Sequence, residues 1–219
     1  MQVSVLTADD AAVVLAAPLA PNIIHRENSL RWAHRRPETP VAFRRLRRHS
    51  TPTMTISPFP LEGGCTCTAV RYRMTTRPLF VHCCHCRWCQ RESGSAFALN
   101  AMIEADRLQR LQGEVELVLT PSLSGKGQKI ARCPHCRVAL WSHYAGAGEA
   151  VCFVRVGTLD APDLLPPDIH IFTSSKQPWV QLPPGVPAVP EYYRSADYWP
   201  AESLARGKAL KAARTATGG

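Results

Sequence analysis

The chain lacks a long apolar run. No stretch of its 219 residues approaches the ~18 consecutive apolar residues that span a bilayer. The nearest candidate, 11–20, is about half as long and follows Asp9 and Asp10, where a secretion signal would carry a basic segment. The expected location is therefore cytoplasmic, with no membrane partner. Acidic residues are also short, 17 against 26 Lys and Arg, for a net charge of +9. The first 53 residues hold eight arginines and four acids, and seven of those arginines crowd between Arg31 and Arg48. Only Trp32 and Phe43 lie among them, too few aromatics for a nucleic-acid stacking surface. This cluster reads as a solvated arm, and nucleic acid is not an expected partner. No cysteine precedes Cys65.

What remains is ordinary for a globular protein, with 45% hydrophobic and 20% charged residues. Residues 1–53 carry neither strand alternation nor a helical period. They read as an N-terminal extension, either disordered or an over-extended gene start, because Met54 opens a segment running straight into the first cysteine pair. From Gly63 onward short strands alternate with turns. In 65–75, Val70, Tyr72 and Met74 share one face, with Arg71 and Arg73 on the other, as in a half-buried strand. Further strands are expected at 79–83, 96–103, 115–120, 129–133, 138–143, 151–156 and 170–172. A short helix is expected at 105–111 with Gly113 as its stop, and a last one at 200–214. Prolines multiply after Pro162, so the chain there should wrap the sheet irregularly. The pattern indicates an antiparallel all-β domain with short helices and a Pro-rich C-terminal extension.

The nine cysteines, at 65, 67, 83, 84, 86, 89, 133, 136 and 152, are odd in number and crowded, a poor disulfide framework. Close thiols without a secretion signal read as metal ligands in a reducing compartment. Cys65 and Cys67, preceded by Gly63 and Gly64, together with Cys133 and Cys136, supply four donors, enough for a closed tetrahedral Zn²⁺ site. The glycines would permit the turn that aims the first pair. Cys84, Cys86 and Cys89 supply three, which leaves one coordination position open for water or a substrate thiolate. Arg87 and Arg91 would help keep these sulfurs ionised. His82, Cys83 or His85 could instead close that shell and make the site structural. Cys152 sits in an apolar strand and reads as an inert core residue. Ser93-Gly94-Ser95 reads either as an ordinary turn or as a backbone cradle for a carboxylate.

The order Gly-Gly-Cys-x-Cys at 63–67, Cys-x-Cys-x-x-Cys-Gln-Arg-x-Ser-Gly-Ser-Ala-Phe at 84–97 and Cys-Pro-x-Cys at 133–136 resembles the glutathione-dependent formaldehyde-activating enzyme family, which includes the centromere protein V domain. The resemblance covers about 54–193 and leaves 194–219 as a C-terminal helix and tail. It implies a zinc-bearing β-tent (Mss4-like) fold similar to that of methionine-R-sulfoxide reductases. It also implies one structural zinc on Cys65, Cys67, Cys133 and Cys136, and a labile, catalytic zinc on Cys84, Cys86 and Cys89. The activity implied is that of a carbon–sulfur lyase joining glutathione and formaldehyde in S-hydroxymethylglutathione, with a small-molecule thiol and an aldehyde as partners. A homo-oligomer is compatible with it. A glutathione- or zinc-binding carrier without chemistry is the alternative. Arg137-Val138 stands where many members have Gly-Thr, and Cys83 is an added thiol. Lys176, Trp179, Tyr192 and Tyr193 are candidate substrate contacts in the C-terminal part.

Overall fold

The computed structural model describes residues 59–216, so the arginine cluster, the 11–20 stretch and the start at Met54 lie outside the described residues. In chain order, β1 (Leu61–Gly64), β2 (Arg71–Met74), β3 (Phe80–Cys84), α1 (Arg87–Ser93), β4 (Ala98–Glu104), β5 (Leu108–Gln112) and β6 (Glu116–Thr120) come first. They are followed by β7 (Gln128–Arg132), β8 (Ala139–Tyr144), β9 (Val151–Arg155), β10 (Ile169–Ile171), α2 (Ser195–Tyr198) and α3 (Ala201–Ala216). β1, β2 and β5 form one sheet, and the other seven strands form a second in the order β10-β3-β4-β9-β8-β7-β6. All pairings are antiparallel except that of β10 with β3.

The larger sheet has two different faces because side chains alternate along a strand. Val81 of β3, Ala101 and Ile103 of β4, and Cys152 and Val154 of β9 point one way. They pack with Tyr72 and Met74 of β2 and with Leu140 to form the main core. Burying each such large side chain contributes about 1.5–3 kcal/mol. Tyr72 is fully buried and remains satisfied because its hydroxyl meets Thr158 Oγ1 at 2.7 Å. The opposite face carries Phe80, Cys84 and Ala98, which join Ile169, Ile171 and the partly buried Tyr193 and Trp199 in a second cluster.

The expected alternation of Val70, Tyr72 and Met74 holds, and all three are buried. The expected helix at 105–111 does not form. Residues Ala105–Arg107 make a single 3₁₀ turn, and Leu108–Gln112 pair with β2 as the edge of the small sheet. Backbone hydrogen bonds to β2 outweigh a weak local helical preference. Gly113, expected as a helix stop, has φ +71°, and a Cβ there would stand 2.1 Å from the Ala69 carbonyl. α1 was not foreseen, because Cys86 takes the capping role usual for Ser or Asp: its Sγ accepts from the Cys89 N–H at 3.4 Å. The last helix forms, and no helix among the described residues is long and apolar enough to cross a membrane.

α3 is fastened to the sheet by one buried ion pair. Arg206 donates from Nε and Nη2 to both oxygens of Glu104, at 2.8 and 2.5 Å, and from Nη1 to the Arg77 carbonyl at 3.0 Å. Burial pushes the Glu104 carboxyl up, but the Arg206 hydrogen bonds more than offset this and hold it below its ordinary 4.5. Glu104→Gln is expected to lower stability in urea by roughly 3 kcal/mol at neutral pH, because Arg206 is left buried and unpaired. A depressed carboxyl stabilises the fold above its ordinary pKa of 4.5 and loses that contribution as pH falls through its lower folded value. The difference between wild type and variant should therefore close in acid.

Candidate metal and active site

Two backbone knuckles build the first thiol group. Cys65 lies directly beyond β1, and its carbonyl accepts from Thr68 N–H at 3.0 Å while its Sγ accepts from Val70 N–H at 3.3 Å. Thr68 adopts φ +61° to complete the turn. Cys133 lies directly beyond β7 and repeats the arrangement: its carbonyl accepts from Arg137 N–H at 3.0 Å, with Arg137 at φ +64°. The sulfurs of Cys65, Cys67, Cys133 and Cys136 all fall within 4.8 Å of one another, with Cys65–Cys67 at 3.4 Å and Cys67–Cys133 at 3.6 Å. Gly64 serves this group by close approach, not by turning, since a Cβ there would meet the Val70 carbonyl at 2.4 Å. The Val138 N–H leads in drawing the Cys136 thiol down to about 6. Cys67, though lowered by the Ala69 N–H, is carried up to about 12 by Cys65 and Cys136. Thiols this close cannot share several negative charges unaided, and a soft divalent cation removes the conflict.

The second group sits on the other face. β3 delivers Cys84, the cap position delivers Cys86, and the first turn of α1 delivers Cys89; all three are buried, with sulfurs within 4.8 Å. Bonds from the two neighbouring thiols and from the Cys89 and Trp88 N–H groups draw Cys86 down to about 2. Cys84 is pushed far up by its bonds to Cys86 and Cys89. Cys89 is lowered by Cys84, but Cys86 and burial carry it up to about 11, with Arg155 opposing. The three thiols thus compete for negative charge, and a bound metal ion fits their donor set. Arg87 and Arg91 do not supply the nearby charge. Both are exposed, and Arg87 donates to Gln90 Oε1 at 3.0 Å. Arg155 takes that place, held by Glu92 of α1 at 3.0 Å and by Asn100. Gln90 locks α1 by donating to the carbonyls of His85 and Ser175, at 2.5 and 3.0 Å.

His82, Cys83 and His85 stand apart from these three thiols. His85 Nε2 meets His170 Nδ1 at 3.0 Å and Cys83 Sγ at 3.6 Å, a separate buried group absent from the sequence reading because His170 comes from distant β10. His82 Nε2 lies 2.6 Å from Tyr193 Oη. Trp199 Nε1 donates to that same oxygen at 2.8 Å, so one hydroxyl joins the imidazole and the indole. Burial lowers His82 to about 4. Ser93-Gly94-Ser95 is an exposed helix end, with Gly94 at φ +64° as the C-cap, and its segment does not line the cavity described next. Cys152 is buried in the core, its thiol pushed up to about 12 by desolvation, as expected of an inert residue.

The three thiols open into a cavity of about 960 Å³. Its floor is the second face of the larger sheet, with His82, Asn100, Met102 and Phe153, and its far wall includes Trp199, Leu204 and Gly207. Of the C-terminal candidates, Tyr192 lines the cavity and Tyr193 supports His82. Lys176 instead donates to the Val180 carbonyl at 2.6 Å, and Trp179 is 72% exposed.

A family model described as glutathione-dependent formaldehyde-activating enzyme matches residues 60–175, just over half of the chain. The chain belongs to this family. A Halomonas elongata protein provisionally named glutathione-dependent formaldehyde-activating enzyme is 28% identical over 127 residues, covering 56% of this chain and 80% of that protein. A solved structure from Rhodobacter sphaeroides is 21% identical and aligns with 48% of this chain and 96% of that one, at a TM-score of 0.38, too low to mark a shared fold. All three family motifs fall within the matched span, and α2 and α3 lie beyond it.

The two thiol groups occupy opposite faces and share no residue, so they are expected to bind metal independently. Metal analysis of chelator-free protein should show Cys86→Ser losing one equivalent while its near-ultraviolet circular dichroism stays native. Cys133→Ser, which opens the group joining the loop after β1 to that after β7, should lose metal and fold together.

Proposed function

We propose that the protein is a zinc-dependent carbon–sulfur lyase or synthase acting on an adduct of glutathione and an aldehyde, such as S-hydroxymethylglutathione. One observation carries the reading. Cys84, Cys86 and Cys89 converge at the end of a large cavity, with no fourth sulfur, imidazole or carboxylate in their group among the described residues. Zinc held by these three thiolates would supply an open coordination position and the positive charge that keeps a thiol sulfur ionised near neutral pH. Cys65, Cys67, Cys133 and Cys136 would hold a second, structural zinc. The two sheets joined by that group support a zinc-bearing β-tent (Mss4-like) domain over 54–193, with 194–219 as its C-terminal helix and tail. All nine cysteines are unpaired thiols, which suits a reducing compartment.

The chemistry asked of the chain is positioning. In adduct formation the sulfur lone pair makes the C–S bond, the carbonyl π pair moves to oxygen, and that oxygen takes up the proton lost by the thiol. Reversal breaks the same bond. Arg155 places a fixed positive charge beside the thiol group, so the added negative charge of a substrate sulfur is tolerated there. Asn100 Oδ1 accepts from Arg155, which leaves the Asn100 amide N–H₂ on the cavity wall as donor to the carbonyl oxygen. The walls hold thiol and carbonyl together and limit competing water, which is where proximity contributes.

Exchange spectroscopy of glutathione with formaldehyde tests the proposal. Metal-replete wild type is expected to accelerate adduct exchange, and Cys86→Ser to lose that acceleration by at least about a hundredfold while retaining its other metal. Saturable glutathione binding without acceleration would reassign the protein as a carrier.

A further inference from the structure

Formaldehyde is far too small for this cavity. Its two heavy atoms fill only a few tens of Å³, about one or two water volumes of ~30 Å³ each. The cavity holds about 960 Å³, at the top of the roughly 300–1,000 Å³ usual for drug-sized ligands. Glutathione accounts for part of that space but suits only part of the lining, since its peptide groups need hydrogen-bond partners.

The register of the sheet shows how the space is laid out. Cys84 pairs with Ala98 at one end of the β3–β4 ladder, and Phe80 pairs with Met102 toward the other. Four residues of strand separate these pairs, about 13 Å. The thiols stand at the first end. Toward the second, Leu79, Met102 and Phe153 face the cavity from the sheet, and Leu204 and Trp199 face it from the C-terminal segment. The bond from Arg206 to Glu104, the last residue of β4, fixes α3 at that same end. The cavity therefore has the thiols at one end and, toward the other, an apolar strip of Leu79, Met102, Phe153, Trp199 and Leu204 flanked by Gln128, Lys208 and Lys211, and part of that strip comes from residues beyond the span matched by the family.

We infer that the carbonyl partner of the thiol carries an extended apolar group, an alkyl chain of about six carbons or an aryl ring, lying between Met102 and Leu204. The substrate class is then the glutathione adducts of longer aliphatic or aromatic aldehydes. This rests on the lyase reading and leaves its bond changes as written: the C–S bond forms, the carbonyl π pair moves to oxygen, and the thiol proton ends on that oxygen. Gly207 sets the width of the apolar end. A Cβ there would stand 3.2 Å from Trp199 Cζ3, so a larger residue must displace the indole or occupy the cavity beside it.

The experiment measures affinity for S-methyl-, S-butyl- and S-hexylglutathione by titration calorimetry, and, separately, adduct exchange with formaldehyde, hexanal and benzaldehyde. S-hexylglutathione is expected to bind at least about tenfold more tightly than S-methylglutathione, because each buried methylene is worth roughly threefold or more. Gly207→Leu, checked for unchanged metal content, is expected to lose that gain. Affinity that is flat or falling with chain length overturns the inference, including where formaldehyde exchange is accelerated and the lyase reading stands. A rising affinity with no exchange accelerated for any aldehyde overturns the lyase reading and leaves the assignment of the apolar end intact.

Discussion

Mutual repulsion among crowded thiolates is the constraint on which the rest of the molecule turns. Seven sulfurs are gathered into two groups whose members lie within 4.8 Å. Backbone N–H groups and neighbouring thiols ease the charge on some sulfurs, as Cys65, Cys86 and Cys136 show, while Cys67, Cys84 and Cys89 are pushed the other way. Both groups are donor sets that suit a soft cation. The first also brings the loop beyond β1 against the one beyond β7, which β-sheet hydrogen bonds alone leave unconnected.

The two groups divide the labour because the larger sheet has two unlike faces. Cys65 and Cys133 belong to the core between the sheets, with Cys136 half-buried and Cys67 exposed beside them. Cys84, Cys86 and Cys89 belong to the other face, where the neighbours are Ile171, Phe172, Tyr193 and Trp199 and where a cavity remains. A single strand, β3, feeds both: Val81 points to one and Cys84 to the other. α1 completes the second group, with its Glu92 holding Arg155 beside it.

What the sequence made legible was whatever is local and periodic. The alternation around Tyr72, most strand positions and both sets of metal-type cysteines could be read from spacing alone. Less legible were features that depend on distant partners. Residues 105–111 look helical, but β2 claims the backbone of Leu108–Gln112. Arg155, not its neighbours in sequence Arg87 and Arg91, supplies charge to Cys89. His170 reaches His85 across 85 positions of chain. α1 escaped notice because a cysteine serves as its cap, and no residue pattern showed that Trp199 and Leu204 would wall a cavity.

The attachment of α3 bears on how such a protein can diversify. The helix comes last in the chain, adds no strand to either sheet, and is pinned to β4 through one arginine. Substitutions at Leu204 and Gly207 reshape part of the cavity wall from outside both sheets and both sulfur groups. One side of the cavity is thus written in a stretch of polypeptide that carries no ladder register, and its shape can drift there without disturbing a single strand pairing.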